Sequence, residues 1–178
     1  MLEPQSTLQR LLTGPMRPGE LAWIGLRPVR REAMTSVSAA RLVPGEGLEG
    51  DHYISSRNGP RQVSLIAAED LAAIGQFLGG APASPEQLRR NLVTRGVNLL
   101  ALKDRRFSIG DVILEGAGEC APCGRMEENL GPGGYNAVRG HGGIVARVIE
   151  GGDIRLGDPI RRIDEDFSEI LARRRNKG

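Results

Sequence analysis

The 178 residues suit one domain with a sizeable core. A net charge of +2 and a pI near 8.8 are too mild to argue for nucleic acid, and 3% aromatic residues leave little for a base-stacking surface. Apart from Lys103 and Lys177 the basic side chains are all arginine, whose planar fork suits phosphate and carboxylate; they are candidate anion clamps.

Met1 to Glu20 lacks a basic start followed by an apolar core, and no run reaches about eighteen apolar residues, so neither a signal peptide nor a membrane span is expected. Two cysteines in such a chain point to a reducing cytoplasm and to thiol or metal chemistry rather than a structural disulfide.

Residues 1–20 carry a short amphipathic piece (Leu8, Leu11, Leu12) ended by Gly14-Pro15, read as an arm or short helix. The first strand is expected over Leu21–Arg27, stopped by Pro28, and the next over Thr35–Val43, closed by Pro44-Gly45. Gly45 to His52 is a glycine-punctuated loop in which no regular element is expected. Its GxGxxG spelling is not a dinucleotide fingerprint, because no helix follows.

Arg61–Ile66 alternates as a half-buried strand does, and a helix follows over Ala67–Leu78, with Leu71, Ile74 and Leu78 on one face. Ser84-Pro85-Glu86 starts a short helix, with Ser84 as N-cap, that opens into a strand at Asn91–Thr94. Arg106–Asp111 leads to a strand at Asp111–Glu115. After the cysteines, Leu130–Tyr135 reads as loose, Gly142–Ile149 as a strand, Gly151-Gly152-Asp153 as a hairpin turn, and Ile154–Ile163 as its return. Residues 165–178 form a tail or last helix with Phe167, Ile170 and Leu171 as its apolar side. Many short strands separated by glycine turns make this a mainly β chain, barrel-like, with short peripheral helices.

Three stretches are richer in polar groups than a core needs. Gly47–His52 offers acids and an imidazole, Asp51 and His52 among them, although Asp51 could simply bond its own turn. Arg89-Arg90-Asn91 stands where a helix turns into a strand; if extension has begun, Arg89 and Asn91 share a face and suit a phosphate or heterocycle edge. The third is Glu119-Cys120-Ala121-Pro122-Cys123-Gly124-Arg125-Met126. Pro122 and Gly124 make it a shaped turn. If Arg125 to Asn129 begin a helix, Cys123 sits at its positive end beside Arg125, which favours the thiolate that attacks electrophiles and binds soft metals. Two buried small hydrophobes are the plain alternative.

His52 and His141 have the right chemistry to join both cysteines in a Cys₂His₂ zinc set, but the spacing matches no common finger. A thioredoxin-like dithiol lacks its βαβ pattern. GxSxG and GxxxxGK[ST] are absent.

Taken in order, these stretches resemble the MOSC domain, named for the C-terminal domain of molybdenum cofactor sulfurases. The resemblance covers about 21–164. It rests on Gly47-Leu48-Glu49-Gly50-Asp51-His52, Arg61-Gln62-Val63-Ser64-Leu65, Arg89–Thr94, Phe107–Asp111, the cysteine turn, and Gly151–Ile154 with Gly157-Asp158. It implies a closed β-barrel and a pocket for the molybdenum cofactor (molybdopterin) served by one essential cysteine. That cysteine maps to Cys123, a molybdenum ligand in the amidoxime-reducing relatives. Arg89 and Asn91 map to cofactor contacts; Arg125, Ser64, His52, Asp51 and Gly124 complete the expected cofactor-binding set.

The chain resembles the short stand-alone form, without the extra N-terminal domain or the pyridoxal-phosphate desulfurase domain of relatives, and no pyridoxal phosphate is expected. The implied activity is reduction of N-hydroxylated small molecules such as hydroxylamino-purines. It needs a separate flavin or iron–sulfur electron donor, since two cysteines cannot hold a four-cysteine cluster. The alternatives are a sulfur carrier, with a persulfide on Cys123 supplied by a cysteine desulfurase, and a non-catalytic zinc-stabilised binding module.

Overall fold

The computed structural model describes residues 6–53 and 58–165, with Glu169, Ala172 and Arg175. A short helix α1 (Thr7–Leu12) precedes strands β1 (Gly19–Leu26), β2 (Thr35–Val37), β3 (Ala39–Val43) and β4 (Gly47–Leu48). Strand β5 (Val63–Ala67) runs straight into α2 (Ala68–Phe77); α3 (Pro85–Leu88) and β6 (Leu92–Arg95) follow. A 3-10 turn (Leu99–Leu102) leads to β7 (Arg106–Ile109) and β8 (Val112–Glu119). The cysteine turn then gives way to α4 (Gly124–Leu130), α5 (Gly134–Val138), β9 (Ile144–Glu150), β10 (Gly152–Arg155) and β11 (Pro159–Arg162).

Seven strands close a barrel in the order β11-β7-β8-β9-β5-β6-β1, with β1 pairing back onto β11 and β2 added outside β1. The β5–β6 pair is parallel, which requires a crossover, and α2 and α3 supply it. Leu65 and Leu92 point into the barrel with Phe107, Ile109 and Leu114, while their neighbours Ile66 and Val93 point out under Leu71, Ile74, Leu88 and Met126. β5 and β6 are therefore apolar on both faces, as strands buried on both sides are. Each such wholly buried leucine or phenylalanine is worth about 1.5–3 kcal/mol over leaving it exposed.

Local chemistry explains several ends. Ser84 Oγ accepts from Gln87 N (3.2 Å) while Gln87 Oε1 accepts from Ser84 N (2.9 Å), and Pro85 occupies the first turn, so α3 forms where expected. The same box, Ser6 with Gln9, holds α1, whose Leu8 and Leu11 are exposed. Arg162 Nη2 ties the following backbone down at Thr13 O (3.0 Å) and Gly14 O (2.8 Å). Gly110-Asp111 makes a two-residue turn between β7 and β8, with Ile109 opposite Val112.

Some expectations fail. The strand expected over Thr35–Val43 splits at Ser38: β2 stays on β1, whereas β3 leaves to pair with β10 and β4 in a separate three-stranded sheet. The expected hairpin at Gly151–Asp153 does not form, because β10 turns away from β9 and lies against β3 in register Gly152↔Leu42 to Arg155↔Ala39. The Gly45–His52 loop holds the two-residue strand β4.

Leu130–Tyr135 is not merely loose, since α5 begins at Gly134. Its uncapped start is held from a distance by Glu127, which accepts from Gly133 N and Tyr135 N, each at 2.8 Å. Phe167, Ile170 and Leu171 of the expected last helix lie outside the described residues. No helix among the described residues is long and apolar enough to cross a membrane.

Candidate active site

The polar stretches converge at one end of the barrel. Arg27, directly after β1, meets Asp51, three residues past the end of β4. Asp51 Oδ1 accepts from Arg27 N (2.6 Å) and Nε (3.2 Å), and Oδ2 from Nη2 (2.7 Å). The same Nη2 donates to Asn91 Oδ1 at 3.1 Å. Asp51 is thus the carboxylate that fixes Arg27 with a two-pronged, charge-assisted contact. His52 N–H (2.7 Å) and Nδ1 (2.8 Å) both meet Arg27 O; a carbonyl only accepts, so Nδ1 carries the proton.

Asn91 is 1% exposed. Its Oδ1 also accepts from Ser64 Oγ (2.9 Å), its N–H donates back to that hydroxyl (3.1 Å), and its Nδ2 donates to Gly25 O (3.3 Å). Ser64 and Asn91 therefore set the position of Arg27 and join β1, β5 and β6. The expected common strand face for positions 89 and 91 is not formed. Arg89 is the left-handed cap of α3 (φ 54°), and its Nη1 donates to Glu32 O at 2.8 Å.

Arg90, which the sequence offered no role, is 7% exposed. Its Nη1 donates to Leu88 O (2.6 Å), Nε to Gly142 O (2.8 Å) and Nη2 to Cys120 O (3.5 Å). Burial pushes the Arg90 guanidinium down from its usual range; negative charge on Cys120 and then Cys123 opposes this, and Arg27 and Arg61 add to it. Arg89 is also lowered, by its own burial first and then by Arg27 and Arg125, with Asp51 opposing.

A pocket of about 160 Å³ is lined by Arg27, Tyr53, Arg61, Ser64, Arg89, Arg90, Asn91 and Cys120. Arg89 also walls a wider cleft of about 450 Å³ with Arg31, Arg125, Glu128 and Asn129. Guanidiniums from well-separated parts of the chain thus face one space.

The cysteine turn stands beside it. Cys120 N–H donates to Gly143 O (2.8 Å), which ties the turn to the start of β9. Cys120 is half-buried; Cys123 is exposed and caps α4, its carbonyl accepting from Met126 N at 2.9 Å, with Gly124 and Arg125 opening the helix. A Cβ on Gly142 would run into Cys120 O, and one on Gly143, already at φ 79°, into Leu65 O. Only glycines let the two backbones approach this closely.

The two histidines do not join the cysteines. His52 faces Arg27 O, His141 faces Asp70, and among the described residues no three or more of His, Cys, Asp and Glu gather as a metal site. The Cys₂His₂ zinc set is not assembled.

Arg27, Arg61 and Arg90 line the pocket and were not among the candidates drawn from the sequence. The available signals were slight: Arg27 sits between a strand and Pro28, and Arg61 leads β5.

The family model for the MOSC domain matches residues 51–161, and the chain belongs to that family. No curated protein matches the chain. Among solved structures, the YUAD protein from Bacillus subtilis is similar with a TM-score of 0.73 at 19% identity, covering 84% of this chain and 98% of that one. YiiM from Escherichia coli is similar with a TM-score of 0.62 at 18% identity, over 85% of this chain and 71% of that one. YiiM from Geobacillus stearothermophilus gives 0.64 at 14% identity, over 82% and 75%. These likenesses define the closed barrel with its short helices. The family is associated with binding of the molybdenum cofactor.

Proposed function

We propose that the arginine-lined cleft binds a molybdopterin-type molybdenum cofactor and that the protein reduces N-hydroxylated small molecules, such as hydroxylamino-purines. The observation that carries this reading is the convergence of Arg27, Arg61, Arg89 and Arg90 with Cys120 in one pocket, the exposed Cys123 standing three residues further along the same turn.

The donor set fits such a group. Guanidiniums held by Asp51, Asn91 and backbone carbonyls are rigid donors for a phosphate. An exposed thiol at Cys123 is the soft ligand that molybdenum takes readily, and a metal held by that one side chain would draw its other ligands from the pterin dithiolene.

In this assignment Arg89 and Arg125 hold the phosphate and Cys123 holds the metal. Arg27 lines the cofactor pocket, and Asn91, Ser64 and Asp51 act through it. His52 braces the Arg27 carbonyl, and Gly124 leaves the approach to the thiol open. The bound cofactor supplies the two-electron redox chemistry, and the protein orients it and limits access. Electrons come from a separate donor protein carrying flavin or iron–sulfur.

A second reading has its own observation. Cys123 is exposed, as a residue that passes sulfur must be. A persulfide on Cys123, loaded by a cysteine desulfurase, would then be handed to a metal–sulfur cofactor.

Elemental analysis with pterin fluorescence, on protein expressed in a molybdopterin-competent host, separates the two. The expected result is near-stoichiometric molybdenum and pterin in the wild type, with molybdenum lost in Cys123→Ser while the fold is kept. No molybdenum and no pterin in the wild type would overturn the reductase, and persulfide found on Cys123 by mass spectrometry would then assign the carrier role.

A further inference from the structure

The turn that carries Cys120 walls a second space. Beyond it lies a groove of about 370 Å³, lined among others by Cys120, Pro122, Tyr135 and Arg139, and by Asp70 and His141. His141 Nδ1 lies 2.8 Å from Asp70 Oδ1. A carboxylate only accepts, so Nδ1 bears the proton and Nε2 is left as an acceptor in the neutral ring. Phe77 packs against the imidazole, with ring centroids 5.3 Å apart at 60°, which limits how the ring can turn. Nε2 has no hydrogen-bond partner among the described residues. Neither Asp70 nor His141 touches the arginine pocket, and Cys120 lines both spaces.

Of the groove's charged groups, Glu119 is paired with Lys103 at 3.1 Å, Asp70 is hydrogen-bonded to His141, and Arg139 brings a guanidinium that reaches Asn136 Oδ1 at 3.5 Å. Toward a ligand the groove offers the acceptor Nε2 and the Arg139 guanidinium, with Tyr135 and Pro122 in its lining. That combination suits a planar ring with an exocyclic N–H or O–H.

We infer that this groove is the small-molecule binding site of the protein. A planar heterocycle lies in it and donates its exocyclic N–H or O–H to His141 Nε2. Asp70 is the positioning residue that fixes the tautomer. The choice of an N-hydroxylated heterocycle as the probe rests on the reductase reading above; the groove and its dyad do not.

The chain has only two histidines, so its imidazole ¹⁵N spectrum reports His141 with His52 as an internal reference. Cofactor-free protein is titrated with 6-hydroxylaminopurine and, in parallel, with unsubstituted purine. The His141 signals are expected to move with 6-hydroxylaminopurine and the His52 signals to stay. His141→Gln is expected to weaken binding about fivefold to tenfold, as loss of one hydrogen bond does. Asp70→Asn can donate its amide N–H to Nδ1. It is expected to let the other tautomer populate, seen as a change at both ring nitrogens, and to weaken binding, with Asp70→Glu restoring both.

His141 signals that stay unmoved at millimolar 6-hydroxylaminopurine in the wild type would overturn the inference, whatever the variants do. Molybdenum and pterin content, measured on the same protein from a molybdopterin-competent host, keeps the two ideas apart. Cofactor present with His141 unmoved overturns the groove alone; cofactor absent with His141 moved overturns the cofactor reading and supports the groove.

Discussion

Replacing Arg90 with methionine removes a buried cation of similar length together with its hydrogen bonds. Two of these are short, to Leu88 O at 2.6 Å and Gly142 O at 2.8 Å, and a longer one reaches Cys120 O. Hydrogen bonds from a charged donor are worth about 1.5–3 kcal/mol each, and each carbonyl left buried and unpaired costs about 1–3 kcal/mol. Against this, the variant no longer buries a guanidinium, which recovers several kcal/mol.

The net loss expected is about 2–4 kcal/mol, since removing one partner of a buried charged contact is more costly than never having made it. For a domain of this size that lowers Tm by roughly 5–15 °C. Urea and thermal unfolding followed by circular dichroism measure it. Arg90→Lys should fall between, because an ammonium cannot span carbonyls contributed by α3, the turn before β9 and the cysteine turn. A loss below about 1 kcal/mol in Arg90→Met would refute the argument, because it would mean that water or rearrangement satisfies those carbonyls without the guanidinium.

Two further outcomes follow from the same region. Gly142→Ala places a methyl against Cys120 O, and backbone cannot yield as a side-chain tip can; a loss of about 1–3 kcal/mol is expected, with chemical-shift changes centred on Cys120. Glu127 is held below its ordinary value near 4.5 by the backbone N–H groups of Tyr135 and then Gly133. A depressed carboxylate stabilises the fold fully above its unfolded value and loses that contribution as pH falls through the lower folded value. The protection factors of the Tyr135 and Gly133 amides, taken against the intrinsic exchange rate at each pH, should therefore fall on acidification below the usual glutamate range, and Glu127→Gln should abolish this pH dependence while leaving a neutral-pH defect.

Much of the fold was legible because its causes are local. Alternation placed β5, and the pairing of Ser84 with Pro85 placed the start of α3. The order of the polar stretches indicated the family. It did not indicate which side chains line the arginine pocket. Arg27 looked like the end of a strand and Arg90 like a helix terminus, and Asp51 could have been an ordinary turn residue.

What the amino-acid order settles by itself is where β1, β5, α2, α3, β6 and β9 form, the cysteine turn and the excess of arginine over lysine. Propensity, capping and periodicity act over a few residues, and they are written in those residues. The tertiary structure decided the rest. Arg27 meets Asp51 across 24 residues, Asn91 meets Ser64 across 27, Arg90 meets Gly142 across 52, and His141 meets Asp70 across 71. Barrel closure through β1 and β11 and the departure of β3 and β10 into their own sheet bring these pairs together. Such contacts depend on which strand ends share one rim of the barrel, and that is a property of the closed sheet, not of any stretch within it.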